Sequence, residues 1–201
     1  NIESQLDIKF FESNNGFLRG YVLYRKNEKN CIKKDKDNQI LVVSDGNPLL
    51  NNQLADAEKI SYYYNNRGLS YTLKHLSGGH IEIIADEKNN RVYFARDKIG
   101  IKPAYYFESR LGFVFSSNAG AIIESGVINP SPNYNVVGKY AVCNYRSVYG
   151  SKDTFFKDIY QISPGSCIYW DDKIYENKYW DWDKKSEYLK YNNSELSDYY
   201  Y

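Results

Sequence analysis

The stretch Ala95-Arg96-Asp97-Lys98-Ile99-Gly100-Ile101-Lys102-Pro103-Ala104-Tyr105-Tyr106 decides how this chain reads. Residues 91–95 and 104–107 are short apolar runs of strand type, and Gly100 and Pro103 between them supply turn chemistry. Arg96, Asp97 and Lys102 read as a structural ion-pair cluster anchoring that turn, in preference to a catalytic charge cluster. Residues 81–85 and 91–95, separated by polar residues 86–90, predict one hairpin. Residues 104–107 and 112–116, turning at 108–111, predict another.

Further out, residues 6–10 alternate apolar and polar as a half-buried strand does, Asn14-Asn15-Gly16 signals a turn, and 17–24 predict a second strand. Residues 25–38 read as a polar, lysine-rich surface loop. Residues 39–43 form an apolar run of buried-strand type, closed by Ser44-Asp45-Gly46-Asn47-Pro48. A helix is expected over 51–68, with Leu54, Ala57, Ile60, Ser61 and Tyr64 on one face and Arg67-Gly68 as its stop. Residues 71–76 fit either helix or strand. A short helix at 119–124 ends at Ser125-Gly126. After Pro130 aromatics replace aliphatics: 13 of the 22 tyrosines lie there. Two more strand-like pieces lie within 153–182, around Ser163-Pro164-Gly165 and Asp171-Asp172-Lys173. The order strands, helix, hairpins, short helix predicts an α+β fold with mainly antiparallel sheet.

Charge is balanced, 26 basic against 25 acidic residues, which gives no footprint for nucleic acid or a membrane surface. No apolar run approaches the roughly 20 residues of a membrane helix. Cys31, Cys143 and Cys167 are an odd number at wide spacing, fitting neither a disulfide framework nor a zinc cluster. Reduced thiols in a cytoplasmic protein are expected, with Cys143 and Cys167 buried in apolar surroundings. His75 and His80 are read as ordinary half-buried histidines. The Tyr62-Tyr63-Tyr64 cluster is read as packing, and the aspartates at 171–172 and 181–183 as solvated.

The opening stretch resembles the A-R-D-x-x-G-I-K-P-x-Y-Y segment of asparagine synthetases, within their N-terminal class II glutamine amidotransferase domain. The resemblance covers roughly 40–182. Ser44-Asp45-Gly46 falls at the family's F-N-G-E-I-Y-N run, and residues 54–58 at its S-D-T-E helix start. Leu76-Ser77-Gly78-Gly79 with 80–86 resembles L-N-G-M-F-A-F-A-L-W-D; Phe115-Ser116-Ser117 with 121–123 resembles F-A-S-E-x-K-A-L-L. Residues 154–165 and Tyr179-Trp180-Asp181 resemble the connector into a synthetase domain. The implied fold is an Ntn-hydrolase-like αββα sandwich. The implied division is an amidotransferase-like domain over 1–150 and a tyrosine-rich connector over 151–201.

In that family a thiolate activated by its own α-amine attacks glutamine, and an oxyanion hole stabilises the intermediate. This sequence starts at Asn1 and has no cysteine before Cys31, so no residue is assigned a catalytic role. The resemblance implies three substrate-binding positions: Asp45, where the oxyanion-hole amide belongs, Gly46, its backbone half, and Asp56, which faces the substrate amine. The family's R-R-L-S-I-V-D arginine has no counterpart; only Lys33, Lys34 and Lys36 lie nearby. A degenerate domain is therefore expected, as in β-lactam synthetases and in part in lasso-peptide cyclases, acting as scaffold in an ATP-dependent amide-forming enzyme. No metal or cofactor is expected in this chain; ATP and magnesium would belong to a synthetase domain, in the same or another chain. A homodimer is compatible with the resemblance. The rivals are an active glutaminase whose N-terminal cysteine lies outside this sequence, and a non-enzymatic interaction module. Ser77-Gly78-Gly79 resembles the start of the S-G-G-x-D-S pyrophosphate loop, but a strand and not a helix is expected after it.

Overall fold

The structure, a computed structural model, describes residues 6–25, 31–109, 112–143, 151–171 and 173–182. Strands β1 (Leu6–Glu12) and β2 (Arg19–Arg25) form an antiparallel hairpin closed by the Asn14-Asn15-Gly16 turn. Then follow β3 (Ile32–Asp35) and β4 (Ile40–Gly46). The expected loop over 25–38 is thus corrected in part: its residues 32–35 are a strand, because Lys33 and Lys34 pair with Val42 and Leu41 across the ladder. Residues 26–30 lie outside the described set. Ser44-Asp45-Gly46 does not close β4 but continues it, paired with Glu82, Ile81 and His80. Those backbone groups are held by the ladder regardless of turn propensity.

Short strands β5 (Leu49–Leu50) and β6 (Gln53–Leu54) precede the long helix α1 (Ala57–His75). The helix starts six residues later than expected and ends beyond Gly68. Asp56 caps it, its carboxylate accepting the Lys59 N–H at 2.9 Å. Gly68 breaks the geometry at φ 78°, ψ 173°, but the chain re-enters helix at once and carries residues 71–75 with it. Leu54, expected on the buried helix face, lies in β6 and is 68% exposed. Ala57, Ile60 and Ser61 are buried as the spacing predicts.

Beyond β7 (Leu76–Ser77), β8 (His80–Asp86) and β9 (Arg91–Arg96) form the expected hairpin, as do β10 (Tyr105–Ser109) and β11 (Gly112–Ser116). Helix α2 (Ala119–Glu124) is where its apolar run predicts. Helix α3 (Tyr134–Cys143) has no counterpart in the sequence reading. The C-terminal strands are β12 (Tyr160–Gln161), β13 (Ser166–Asp171) and β14 (Lys173–Lys178).

The fold is α+β and its named ladders are antiparallel. A six-stranded sheet, β14-β13-β9-β8-β4-β3, forms the centre. Alternation sends its residues to two faces. Val42, Ile84, Ala95 and Cys167 pack with Ile60 and Leu73 of α1. Leu41, Val43, Ile81, Val92 and Phe94 pack with Phe11 and Val22 of the first hairpin and Phe113 and Phe115 of β11. Helix α2 rests on β10 and β11 with Ile122 fully buried outside both clusters. The layers therefore run helix, sheet, strands, helix, an αββα sandwich.

Candidate functional site

The turn at 97–102 is built by two buried side chains acting on backbone. The fully buried Asp97 carboxylate accepts the N–H groups of Ile99 at 3.2 Å, Ile101 at 2.9 Å and Lys102 at 2.9 Å. The Arg96 guanidinium donates to the carbonyls of Lys102 at 2.7 Å, Gly100 at 3.0 Å and Ile162 at 2.7 Å. The expected ion-pair cluster is corrected accordingly: both side chains anchor the turn, through carbonyls and amides instead of one another. A planar fork with several donors suits that task, and a carboxylate suits converging N–H groups. Gly100 takes φ +73° beneath the guanidinium, where a side chain is both strained and crowded.

That turn delivers Lys102 to Asp45. Lys102 Nζ donates to Asp45 Oδ1 at 2.9 Å, both side chains about one-third exposed. Gly46 follows at φ +110°, and a Cβ there would come within 3.0 Å of Lys102 Cε and collide with the Gly79 carbonyl. Glycine is required there because three segments converge on one point. Two cavities flank this point. One of about 290 Å³ runs between β2 and β11, with Asp45 on its lining and Val43, Ile81, Ile83 and Phe94 among its walls. The other, about 30 Å³, is bordered by Cys31, Ser44, Asp45, Gly46 and Ala55.

Of the three positions singled out in the sequence, Asp45 and Gly46 thus stand together with Lys102. Asp56 is the cap of α1 and lines neither cavity. Lys33 and Lys34 are engaged elsewhere, with Glu58 at 2.7 Å and with the Glu12 carbonyl at 2.9 Å. Lys102 is the residue that sequence reading missed. It was placed in the turn, and nothing in the sequence links it to a carboxylate 57 positions away.

On the opposite face of the sheet, directly behind Asp45, lies a fully buried polar group. Ser44 Oγ donates to Glu82 Oε1 at 2.8 Å, and His80 Nδ1 stands 3.3 Å from the same oxygen. Glu82 Oε2 and His80 Nε2 have no hydrogen-bond partner. Burial pushes the Glu82 carboxyl above its ordinary value, against the pull of His80 and Ser44. Neither histidine is half-buried as expected: His80 is fully buried, whereas His75 is exposed and stacked on Tyr71 at 3.9 Å. Cys167 is buried and its thiol is pushed up to about 12, but Cys143 is exposed on α3, against expectation. Among the described residues no group of three or more His, Cys, Asp or Glu is arranged to hold a metal. No helix among them is long and apolar enough to cross a membrane.

A model of the glutamine amidotransferase domain family matches residues 49–180. The chain belongs to that family. The match takes in Asp56, the Arg96–Asp97 turn and Lys102; Asp45 and Gly46 lie just ahead of it. Over 131 residues the domain is 30% identical to a putative glutamine-hydrolysing asparagine synthetase 2 of Methanocaldococcus jannaschii. That alignment takes in 64% of this chain and 25% of the relative, so the domain spans about a quarter of the protein it matches. Among solved structures it is similar to a glutamine phosphoribosylpyrophosphate amidotransferase from B. subtilis (TM-score 0.47, 14% identity, 78% of this chain and 33% of that one). It is also similar to an allosteric regulatory enzyme of purine biosynthesis (TM-score 0.43, 12% identity, 78% and 32%).

Proposed function

We propose that this glutamine amidotransferase domain has lost glutamine hydrolysis and serves as scaffold for a synthetase-type domain in an ATP-dependent amide-forming enzyme. The Lys102–Asp45 pair carries this reading. An oxyanion hole works by aiming donors at developing negative charge. Asp45 brings a negative charge to that place, and the nearest cation is hydrogen-bonded to it. The pair satisfies itself and leaves little net field for an intermediate. Asp56, the residue matched to the substrate amine, is occupied in capping α1. The synthetase-type partner is motivated by the M. jannaschii relative, four times the length matched here. ATP and magnesium would be bound by that partner.

The test is ammonia release from glutamine by the purified chain, alone and with an N-terminal cysteine placed ahead of Leu6. Background rates in both, with fold retained by circular dichroism, are expected. Turnover in the cysteine-bearing form alone would favour an active glutaminase, and turnover in the unaltered chain would refute the proposal outright.

A further inference from the structure

The first hairpin leaves one strand edge open. β1 pairs only with β2 among the described residues, so its far side has no partner strand. The Ser13 N–H donates to the Leu18 carbonyl at 2.9 Å, in step with the β1–β2 register. Odd-numbered backbone groups of β1 therefore face β2, and even-numbered ones face outward. Two contacts agree. Lys34 Nζ takes the outward carbonyl of Glu12 at 2.9 Å, and the outward N–H of Ile8 donates only to the adjacent Asp7 Oδ1 at 2.9 Å. Lys34 thus closes the edge at Glu12 and leaves 6–10 open.

That open run is complementary to itself. Laid antiparallel on a second copy with Ile8 opposite Ile8 on a two-fold axis, the outward groups of Ile8 form a hydrogen-bonded pair. Asp7 then falls opposite Lys9 of the second copy, and Lys9 opposite its Asp7, at the positions where side chains come closest. Both charges are available. Lys9 is exposed and has no carboxylate partner among the described residues. Asp7 is exposed and accepts the Ile8 N–H and, at 3.2 Å, the Tyr24 hydroxyl, neither of them a cation. On the other face Ile8 and Phe10 are 65% and 49% exposed. Ile8 meets Ile8 of the second copy, and Phe10 lies diagonal to it, so pairing takes apolar surface out of water. Neighbouring registers are worse. Moving the axis to Lys9 sets lysine against lysine, and moving it to Phe10 needs the Glu12 carbonyl that Lys34 holds.

We propose that two copies of this chain pair through their β1 edges, antiparallel across Ile8, joining the two hairpins into one sheet. The pairing neither uses the Asp45 site nor depends on the loss of glutamine hydrolysis. Residues 6–10 make a small interface, so the dimer belongs to the weak class.

The test is sedimentation of the whole chain from about 10 μM to about 1 mM, with amide hydrogen exchange along the same series. The dimer fraction is expected to rise with concentration, and the Ile8 and Phe10 amides to gain protection in step. Asp7→Lys and Lys9→Asp, each checked for fold by circular dichroism, should each weaken the dimer about tenfold or more. An equimolar mixture of the two variants should recover it, because each reversed charge then faces an opposite one. A chain that stays monomeric at about 1 mM overturns the proposal. So does protection of Ile8 and Phe10 that ignores concentration, which would place a segment of the same chain on the edge. A dimer protected at β3 or β14 instead, or a mixture of the variants that stays monomeric, overturns it as well.

Discussion

Asp97 shows how one side chain sets a whole turn. The fully buried Asp97 carboxylate accepts three amide N–H groups, and removing it takes the acceptor from all three at a part-buried turn. Asp97→Ala is expected to destabilise the domain by about 3 kcal/mol. Asp97→Asn, which keeps part of the acceptor set, should cost roughly half that. Urea unfolding of both variants measures the difference; a loss for Asp97→Ala within that of a surface substitution refutes the role. By contrast, Lys102 and Asp45 are both about one-third exposed, so water screens their attraction. Lys102→Met should cost no more than about 1 kcal/mol of stability. The residue that shapes the turn and the residue that the turn presents thus differ in weight, and a stability scan separates them.

At the scale of elements, helix α1 and helix α3 each contain a glycine, with opposite consequences. Gly68 sits at φ 78°, ψ 173°, a region almost reserved for glycine, with nothing within 4 Å of a built Cβ. Gly68→Ala therefore meets no clash, only backbone strain, and is expected to destabilise by about 1–3 kcal/mol. Gly138 lies inside α3, outside the positive-φ region and also in open space. Gly138→Ala should stabilise by about 0.5–1 kcal/mol through helix propensity. Thermal melts of the two variants should move in opposite directions. Element reading from sequence succeeded where one period dominates, as in 81–85 against 91–95. It failed where a long-range ladder overrides local chemistry. Ser44-Asp45-Gly46 has turn composition, but its pairing with 80–82 makes it strand. Arg67-Gly68 is a sound stop signal, and it does end one helical segment. Packing of Leu73 against the central sheet holds the next segment in place. Helix α3 went unseen although Val136, Val137, Tyr140 and Ala141 recur at helical spacing; its β-branched valines and Gly138 are weak helix formers, and only Val136 is buried.

For the whole molecule, the buried Ser44–His80–Glu82 group links stability to pH. Burial raises the Glu82 carboxyl above its ordinary value, so the folded state holds this proton where the unfolded chain has released it. Its contribution is full below the ordinary carboxylate value of about 4.3 and is lost as pH rises through the folded one. Glu82→Gln mimics the protonated form. Its stability relative to the parent should rise as pH climbs above the ordinary carboxylate value of about 4.3, with little difference at the acid end. Asp86 works the other way. Burial pushes its carboxyl up, but hydrogen bonds from Tyr64 and Asn89 outweigh that and hold it low, so its contribution fades in acid. Melting curves across that range, for parent and variant, check the sign; a constant offset would refute the titration. Thiol labelling reports the same global folding. Cys143 should react at once in the native protein, and buried Cys167, its thiol pushed up to about 12, only on unfolding.

The sequence by itself determined the family, the antiparallel hairpins and the glycine–proline turn, because each rests on local chemistry: period-two alternation, turn residues and a motif in continuous order. It also marked Asp45, Gly46 and Asp56. Tertiary structure alone decided what those positions do. It pairs Asp45 with a lysine from the very stretch that identifies the family, turns Asp56 into a helix cap, and leaves β2 and β11 facing across an open cleft. Such facts depend on which segments meet in space. A carboxylate and an ammonium far apart in sequence interact only after the sheet has set the turn that follows β9 beside the end of β4.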